Sequence, residues 1–172
     1  HLINYPDTEV AELRHEIACF YNVDYDELVV GNGAVELLYL LCHMLRPIKA
    51  IIPVPSFSEY ERAARAAKIK VDYVYLSEAM DFKVNIQDIS NKLTQNSIVL
   101  LGNPNNPTGA VYPKEILEQI ADIARENELI IFSDEIYDRL VMDGEKHISI
   151  ASLAPDLFCV TFSGLSKSHM IA

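Results

Sequence analysis

The sequence predicts an α/β fold: a three-layer α/β/α sandwich around a mostly parallel sheet. Three observations predict it. Strand-length apolar runs alternate with helical stretches along the whole chain. Those runs are apolar throughout rather than on every second residue, as in strands covered by helices on both faces. No linker rich in Gly, Ser or Pro, no charge block and no repeat divides the 172 residues, half of them apolar, so one core is expected.

Each element has its own justification. From Thr8 to Tyr21, Val10, Leu13, Ile17 and Phe20 recur at steps of three and four, which predicts an amphipathic helix with Asp7 or Thr8 capping its first turn. "ELVV", residues 27–30, reads as a short strand ending in the turn "GNGA", and "VELLYLLCHML" continues as a helix that Pro47 stops. "KAIIPV" reads as a strand, "SEYERAARAA" as a helix capped by Ser56 or Ser58, and "KVDYVYL" as a strand. "NIQDISNKL" is helical, "SIVLLG" a strand, "PKEILEQIADIAREN" a helix with Pro113 in its first turn, and "ELIIFS" a strand. A stretch that is irregular or a hairpin around Asp143 and Gly144 follows, then the strand "LFCVTFS" and the segment "GLSKSHMIA".

Composition excludes several classes. With 25 acidic and 14 basic residues the net charge is −11, which is unsuited to a nucleic-acid partner because phosphate binding needs a basic face. The longest apolar stretch, Val35 to Leu45, is too short to span a bilayer and is interrupted by Glu36 and His43. Cys19, Cys42 and Cys159 are odd in number, far apart and each set in an apolar stretch, which reads as reduced buried thiols and a cytoplasmic protein. His15 and Cys19 share a helix face, but two ligands without a third do not make a metal site, and none is expected.

In an open parallel sheet, ligands bind beyond the carboxyl ends of the strands. The unusual residues of this sequence stand at five such ends: "GNGA" after Val30, "PSF" after Val54, "GNPNNPTG" after Leu101, "SDEIY" after Phe132 and "SGLSKS" after Phe162. "GNGA" lacks the third glycine of a dinucleotide fingerprint and the lysine of a triphosphate loop. Placed at a helix start, it offers free N–H groups and a helix dipole to a phosphate. "NPNNPTG" is more specific: two Asn-Pro pairs and a Thr-Gly form a rigid turn that holds an asparagine amide toward a ligand. In "SDEIY" the apolar run ends in two adjacent acids, and an acid there is costly to bury unless it is paired.

With "NPNNPTG", "SDEIY" and "SGLSK" in that order, the chain resembles the fold-type I family of pyridoxal-phosphate enzymes, in particular class I and II aminotransferases. "YPDTEVAELRHEIACFYNV" and "VPSFSEYERAARAA" resemble the histidinol-phosphate aminotransferase and threonine-phosphate decarboxylase branch; "SDEIYDRL" and "FSGLSKSHMIA" resemble the alanine and aspartate aminotransferase branch.

The resemblance implies pyridoxal 5′-phosphate as cofactor and a role for each matching residue. Lys167 matches the lysine that forms a Schiff base with the cofactor aldehyde, where an amine is needed to exchange with the substrate amine. Asp134 matches the carboxylate facing the pyridine nitrogen, which keeps the ring protonated so that it draws electrons from the substrate α-carbon. Tyr137 and Asn106 match the pair on the phenolic oxygen, and Phe57 the aromatic stacked on the ring. Asn32, Gly33 and Ala34 match the phosphate cradle, and Ser166 the phosphate-binding serine. Tyr5 matches a tyrosine that reaches the neighbouring subunit's phosphate, which implies a homodimer. Glu135 has no assigned role and reads as a solvated or a structural charge.

Gly164 departs from the pattern, standing where the family often has a hydroxyl residue for the phosphate. The resemblance further implies that residues 1–172 are the cofactor-binding large domain, truncated: the motif with an arginine for the phosphate, the small domain with the arginine for the substrate carboxylate, and much of an N-terminal segment are expected outside it. The expected function is transfer of an amino group between an amino acid and a 2-oxo acid, with these residues alone transaminating poorly or not at all. Two alternatives stand beside it: a decarboxylase of a phosphorylated amino acid, and a catalytically inactive cofactor-binding or regulatory module.

Overall fold

The computed structural model describes residues 7–170. Five parallel strands form one sheet: β1 (Lys49–Val54), β2 (Lys70–Tyr75), β3 (Ser97–Gly102), β4 (Ile130–Asp134) and β5 (Cys159–Phe162), in the spatial order β2-β1-β3-β4-β5. The apolar runs hold the centre because both of their faces are covered: every residue of β3 is buried, as are the first five of β1.

Helices cover each face. On one lie α2 (Ala34–Leu45) and α3 (Ser58–Ala66), packing Leu38, Cys42, Tyr60, Ala63 and Ala64 against Ala50, Ile52, Ile98, Leu100 and Phe132 of the sheet. On the other lie α4 (Ile86–Ser90), α5 (Lys114–Glu126) and α6 (Ile150–Leu153). Helix α5 buries Leu117, Ile120, Ala121 and Ala124, an i, i+3, i+4, i+7 stripe, of which Leu117, Ile120 and Ala124 join the cluster of Ile51, Val99 and Ile131. Each fully buried Leu or Ile in that stripe contributes about 1.5–3 kcal/mol relative to exposure. Two further helices complete the fold, α1 (Ala11–Tyr21) and the single turn α7 (Leu165–Ser168).

The strand order explains where a site forms. From β1 the chain steps outward through α3 to β2, then returns past β1 to β3 and continues through α5 to β4 in the opposite direction. The reversal lies between β1 and β3, and loops at such a switch point diverge and leave a crevice at the carboxyl ends of the strands.

Several local expectations are corrected. "ELVV" is not a strand: Tyr25–Glu27 form a 3₁₀ turn capped by Asp24, and Val29 stands 70% exposed with no strand beside it among the described residues. Without a neighbour to take its N–H and C=O groups, an apolar run stays irregular. "GNGA" therefore follows an extended connection rather than a sheet strand, and four strand ends, not five, carry the motifs. Helix α1 begins at Ala11 rather than Thr8, although the Asp7 carboxylate does accept from Glu9 N and Ala11 N. Helix α3 is preceded by Phe57 with no side-chain cap from Ser56 or Ser58, and Pro113 sits one residue before α5 rather than inside its first turn. Asp143 and Gly144 form a turn with positive φ but no hairpin. Cys42 is buried as expected, whereas Cys159 is only partly so and Cys19 is exposed.

Candidate active site

A cavity of about 260 Å³ opens at the carboxyl ends of β3, β4 and β5. Asn32, Gly33, Ala34, Phe57, Asn106, Asp134, Tyr137, Ser166 and Lys167 all line it, brought from five separate segments of the chain. Tyr5 lies outside the described residues. The cavity floor is apolar, made by Leu38, Leu100, Phe132 and Phe162.

Each wall has a local cause. The turn before α2 takes Gly33 to φ +85°, in the region where a side chain is strained, and nothing lies within 4 Å of where a Cβ would sit. Asn32 N in this turn donates to Glu36 Oε2 at 2.7 Å, so the turn already directs a donor at an anionic oxygen, and the first N–H groups of α2 have no partners within the helix. In "NPNNPTG" the three asparagines divide their work. Buried Asn103 donates to Ile148 O and accepts from Tyr112 N; buried Asn105 donates to Pro55 O and accepts from Thr108. With the loop pinned at these two points, Asn106 is left to face the cavity.

Asp134 ends β4 on the cavity side, opposite Gly102 of β3 and Phe162 of β5 in register. Burial raises its carboxyl above the usual carboxylate range, against two opposing hydrogen bonds, from Tyr60 Oη to Oδ2 at 2.8 Å and from Ile136 N to Oδ1 at 3.3 Å. Lys167 enters from α7, at the end of the neighbouring strand β5.

Two features of this region escaped sequence reasoning. Tyr60 was legible only as part of an amphipathic helix, yet it follows Phe57 by three residues, the spacing that puts two side chains on one helix face. Glu135 is 3% exposed and enclosed on the opposite side of the sheet by Ser133, Ser149 and His147, so the solvated reading of that charge is set aside.

The arrangement meets the demands of a flat, phosphorylated, electron-poor cofactor. It offers an anion cradle at a helix start, an apolar slot with an aromatic wall, a half-buried carboxylate with no ion-pair partner among the described residues and an amine in the same cavity.

Comparison with known proteins agrees with this geometry. Residues 1–172 match the family described as Aminotransferase class I and II. The alanine aminotransferase of Mycobacterium tuberculosis is 38% identical over 156 residues, covering 89% of this chain and 36% of the relative. The glutamate-pyruvate aminotransferase AlaA of Escherichia coli is 40% identical over 155 residues, covering 88% of this chain and 38% of the relative. A crystal structure of an aminotransferase from Escherichia coli superimposes with a TM-score of 0.90 at 35% identity, over 98% of this chain and 44% of that one. The chain belongs to the class I and II aminotransferase family, whose fold is that of the fold-type I enzymes and whose cofactor is pyridoxal phosphate. It spans less than half the length of these relatives.

Proposed function

We propose that this chain is the cofactor-binding large domain of a pyridoxal-phosphate-dependent aminotransferase that moves an amino group between an amino acid and a 2-oxo acid. The observation that carries the reading is the convergence of Asp134 and Lys167 on one cavity from neighbouring strand ends. Alanine is the first amino donor to test, on the names of the relatives.

When bound, pyridoxal phosphate supplies an electron-poor ring able to accept the electron pair of a bond broken at the substrate α-carbon. The chain's own residues bind and orient. Asp134 pairs with the protonated ring nitrogen, a cation that relieves the cost of burying its charge. Asn106 and Tyr137 would serve as donors to the phenolic oxygen, and Phe57 would supply the aromatic wall for the ring. Asn32, Gly33 and Ala34 hold the phosphate through backbone N–H groups, with Ser166 contributing a hydroxyl. Lys167 would hold the group covalently through Nζ, with water as the leaving group, and as a free amine would carry the α-proton. Two subunits, each lending Tyr5 to the other's phosphate, make the working unit. The three free cysteines favour a reducing compartment such as the cytoplasm. Among the described residues no helix is long and apolar enough to cross a membrane.

Borohydride reduction of the intact protein with pyridoxal phosphate tests the reading. The expected result is a stable adduct on the peptide carrying Lys167, formed at one cofactor per chain. An adduct on another lysine, or none, would remove Lys167 from its role.

A further inference from the structure

Helix α3 brings Tyr60 to the cavity beside Phe57. Tyr60 meets Phe57 edge to face, with centroids 5.7 Å apart and ring planes at 88°. It is 3% exposed, and its hydroxyl reaches across the sheet end to Asp134 Oδ2 at 2.8 Å. Strand β3 leaves room for that reach. Gly102 is the register partner of Asp134, and a Cβ at Gly102 would stand 3.2 Å from Tyr60 Oη and 3.4 Å from the Asn105 backbone, so any larger residue crowds the hydroxyl.

The direction of the hydrogen bond follows from the surroundings. Burial first, then the charge of Asp134, push the Tyr60 hydroxyl far above the ordinary tyrosine range, so the phenol keeps its proton and donates it. Besides Tyr60, the ionisable side chains that line the cavity with Asp134 are Tyr137 and Lys167 among the described residues, while Tyr112, in the opposite core, acts on Tyr60. Ile136 N supplies a long contact to the other carboxylate oxygen. Tyr60 is thus the short, fully enclosed donor to a carboxylate that burial is driving toward its neutral form. A neutral acid could not pair with a cationic ring.

We propose that Tyr60 is a positioning residue: seated over Gly102, it clamps Asp134 Oδ2 and holds the carboxylate as an oriented anion facing the cavity. The inference rests on the reading of Asp134 as the partner of the ring nitrogen. The glycine and the tyrosine act as a pair, one providing the space that the other's hydroxyl fills.

The experiment uses the intact protein, stripped of pyridoxal phosphate for titration and reloaded for binding. The readout is the pH midpoint of the Asp134 carboxyl ¹³C resonance. Tyr60→Phe removes the donor with almost no change of shape and is expected to move that midpoint upward and weaken pyridoxal-phosphate binding about tenfold, in the range for a hydrogen bond to a charged group. Gly102→Ala, which keeps the hydroxyl but crowds it, is expected to shift the midpoint in the same direction. Incorporating 3-fluorotyrosine at position 60 makes a stronger donor and is expected to shift it downward, an opposite sign that no loss of packing produces. An unmoved midpoint in both the Tyr60→Phe and the 3-fluorotyrosine proteins overturns the proposal. If Tyr60→Phe does not fold, the 3-fluorotyrosine protein decides alone, and a wild-type midpoint there is contrary. Asp134→Asn separates the two layers of the reading. If it binds pyridoxal phosphate as tightly as the wild type, the assignment of Asp134 falls and takes this inference with it. If it loses the cofactor while the Tyr60 variants leave the midpoint unmoved, only the positioning role falls.

Discussion

Asp134 and Glu135 are adjacent, carry the same formal charge and follow the same apolar run, yet the alternation at the end of β4 sends them to opposite faces of the sheet. Asp134 looks into the cavity with one short donor, Tyr60 Oη. Glu135 is closed in by its own chain: its Oε1 accepts from Ser133 Oγ at 2.7 Å and Ser149 Oγ at 3.1 Å. Burial pushes the Glu135 carboxyl up to about 7. His147 Nε2 stands 3.4 Å from Glu135 Oε2, inside ion-pair range, but it makes no hydrogen bond, and burial lowers the imidazole's proton affinity. We therefore read the contact as one between two groups held toward neutrality. Two acids at one strand end have opposite fates: the one enclosed by internal donors belongs to the architecture, and the one lining the cavity is the acid we propose pairs with the ring nitrogen.

The largest expected effect tests the cavity side. In the intact protein, Lys167→Ala should lower turnover by roughly 10⁴-fold, since one side chain supplies both the covalent tether and the proton carrier. Retained turnover would separate the cavity from catalysis. Next in size is the sheet's other face. The folded Glu135 carboxyl holds its proton more tightly than the ordinary value of 4.5, so its stabilising effect is complete below about pH 4.5 and is lost as pH rises through about 7. The loss is ~3 kcal/mol across that window. Chemical denaturation of the intact protein at a series of pH values should show the decline, and Glu135→Gln should flatten it. An unchanged slope in the variant would mean that Glu135 is charged in place and that the contrast with Asp134 is wrong.

How much of this was legible in the sequence depends on what sets each feature. Strands β1, β3 and β4 were plain because burial on both faces demands continuous apolar runs. The cavity residues were visible because turn and polar residues cluster where those runs end. "ELVV" misled because four apolar residues look alike whether or not a neighbouring strand exists to pair with them. Tyr60 stayed hidden because a tyrosine on an amphipathic helix has the pattern of a core residue, and its partner Asp134 is 74 positions away. Glu135 stayed hidden because its partners Ser149 and His147 come from a loop with no period of its own.

Smaller effects sharpen the same contrast. Asp134→Asn should reduce turnover about 100-fold, the scale for removing one preorganised electrostatic partner, while Glu135→Gln leaves turnover near the wild-type value. Steady-state kinetics on the two variants checks this, and equal losses would erase the distinction between the faces. Ser149→Ala removes one donor to Glu135 and should cost about 1 kcal/mol of stability in a denaturant melt, with cofactor binding unchanged. A loss of cofactor affinity there would show that the two faces communicate.

The most direct measurement of the central claim is the ¹⁵N resonance of pyridoxal phosphate labelled at the ring nitrogen and bound to the intact protein. A protonated nitrogen in the wild type and in Glu135→Gln, lost in Asp134→Asn, is the result expected if Asp134 is the acid that holds the ring. A nitrogen that is unprotonated in the wild type, or whose protonation survives Asp134→Asn, would contradict it.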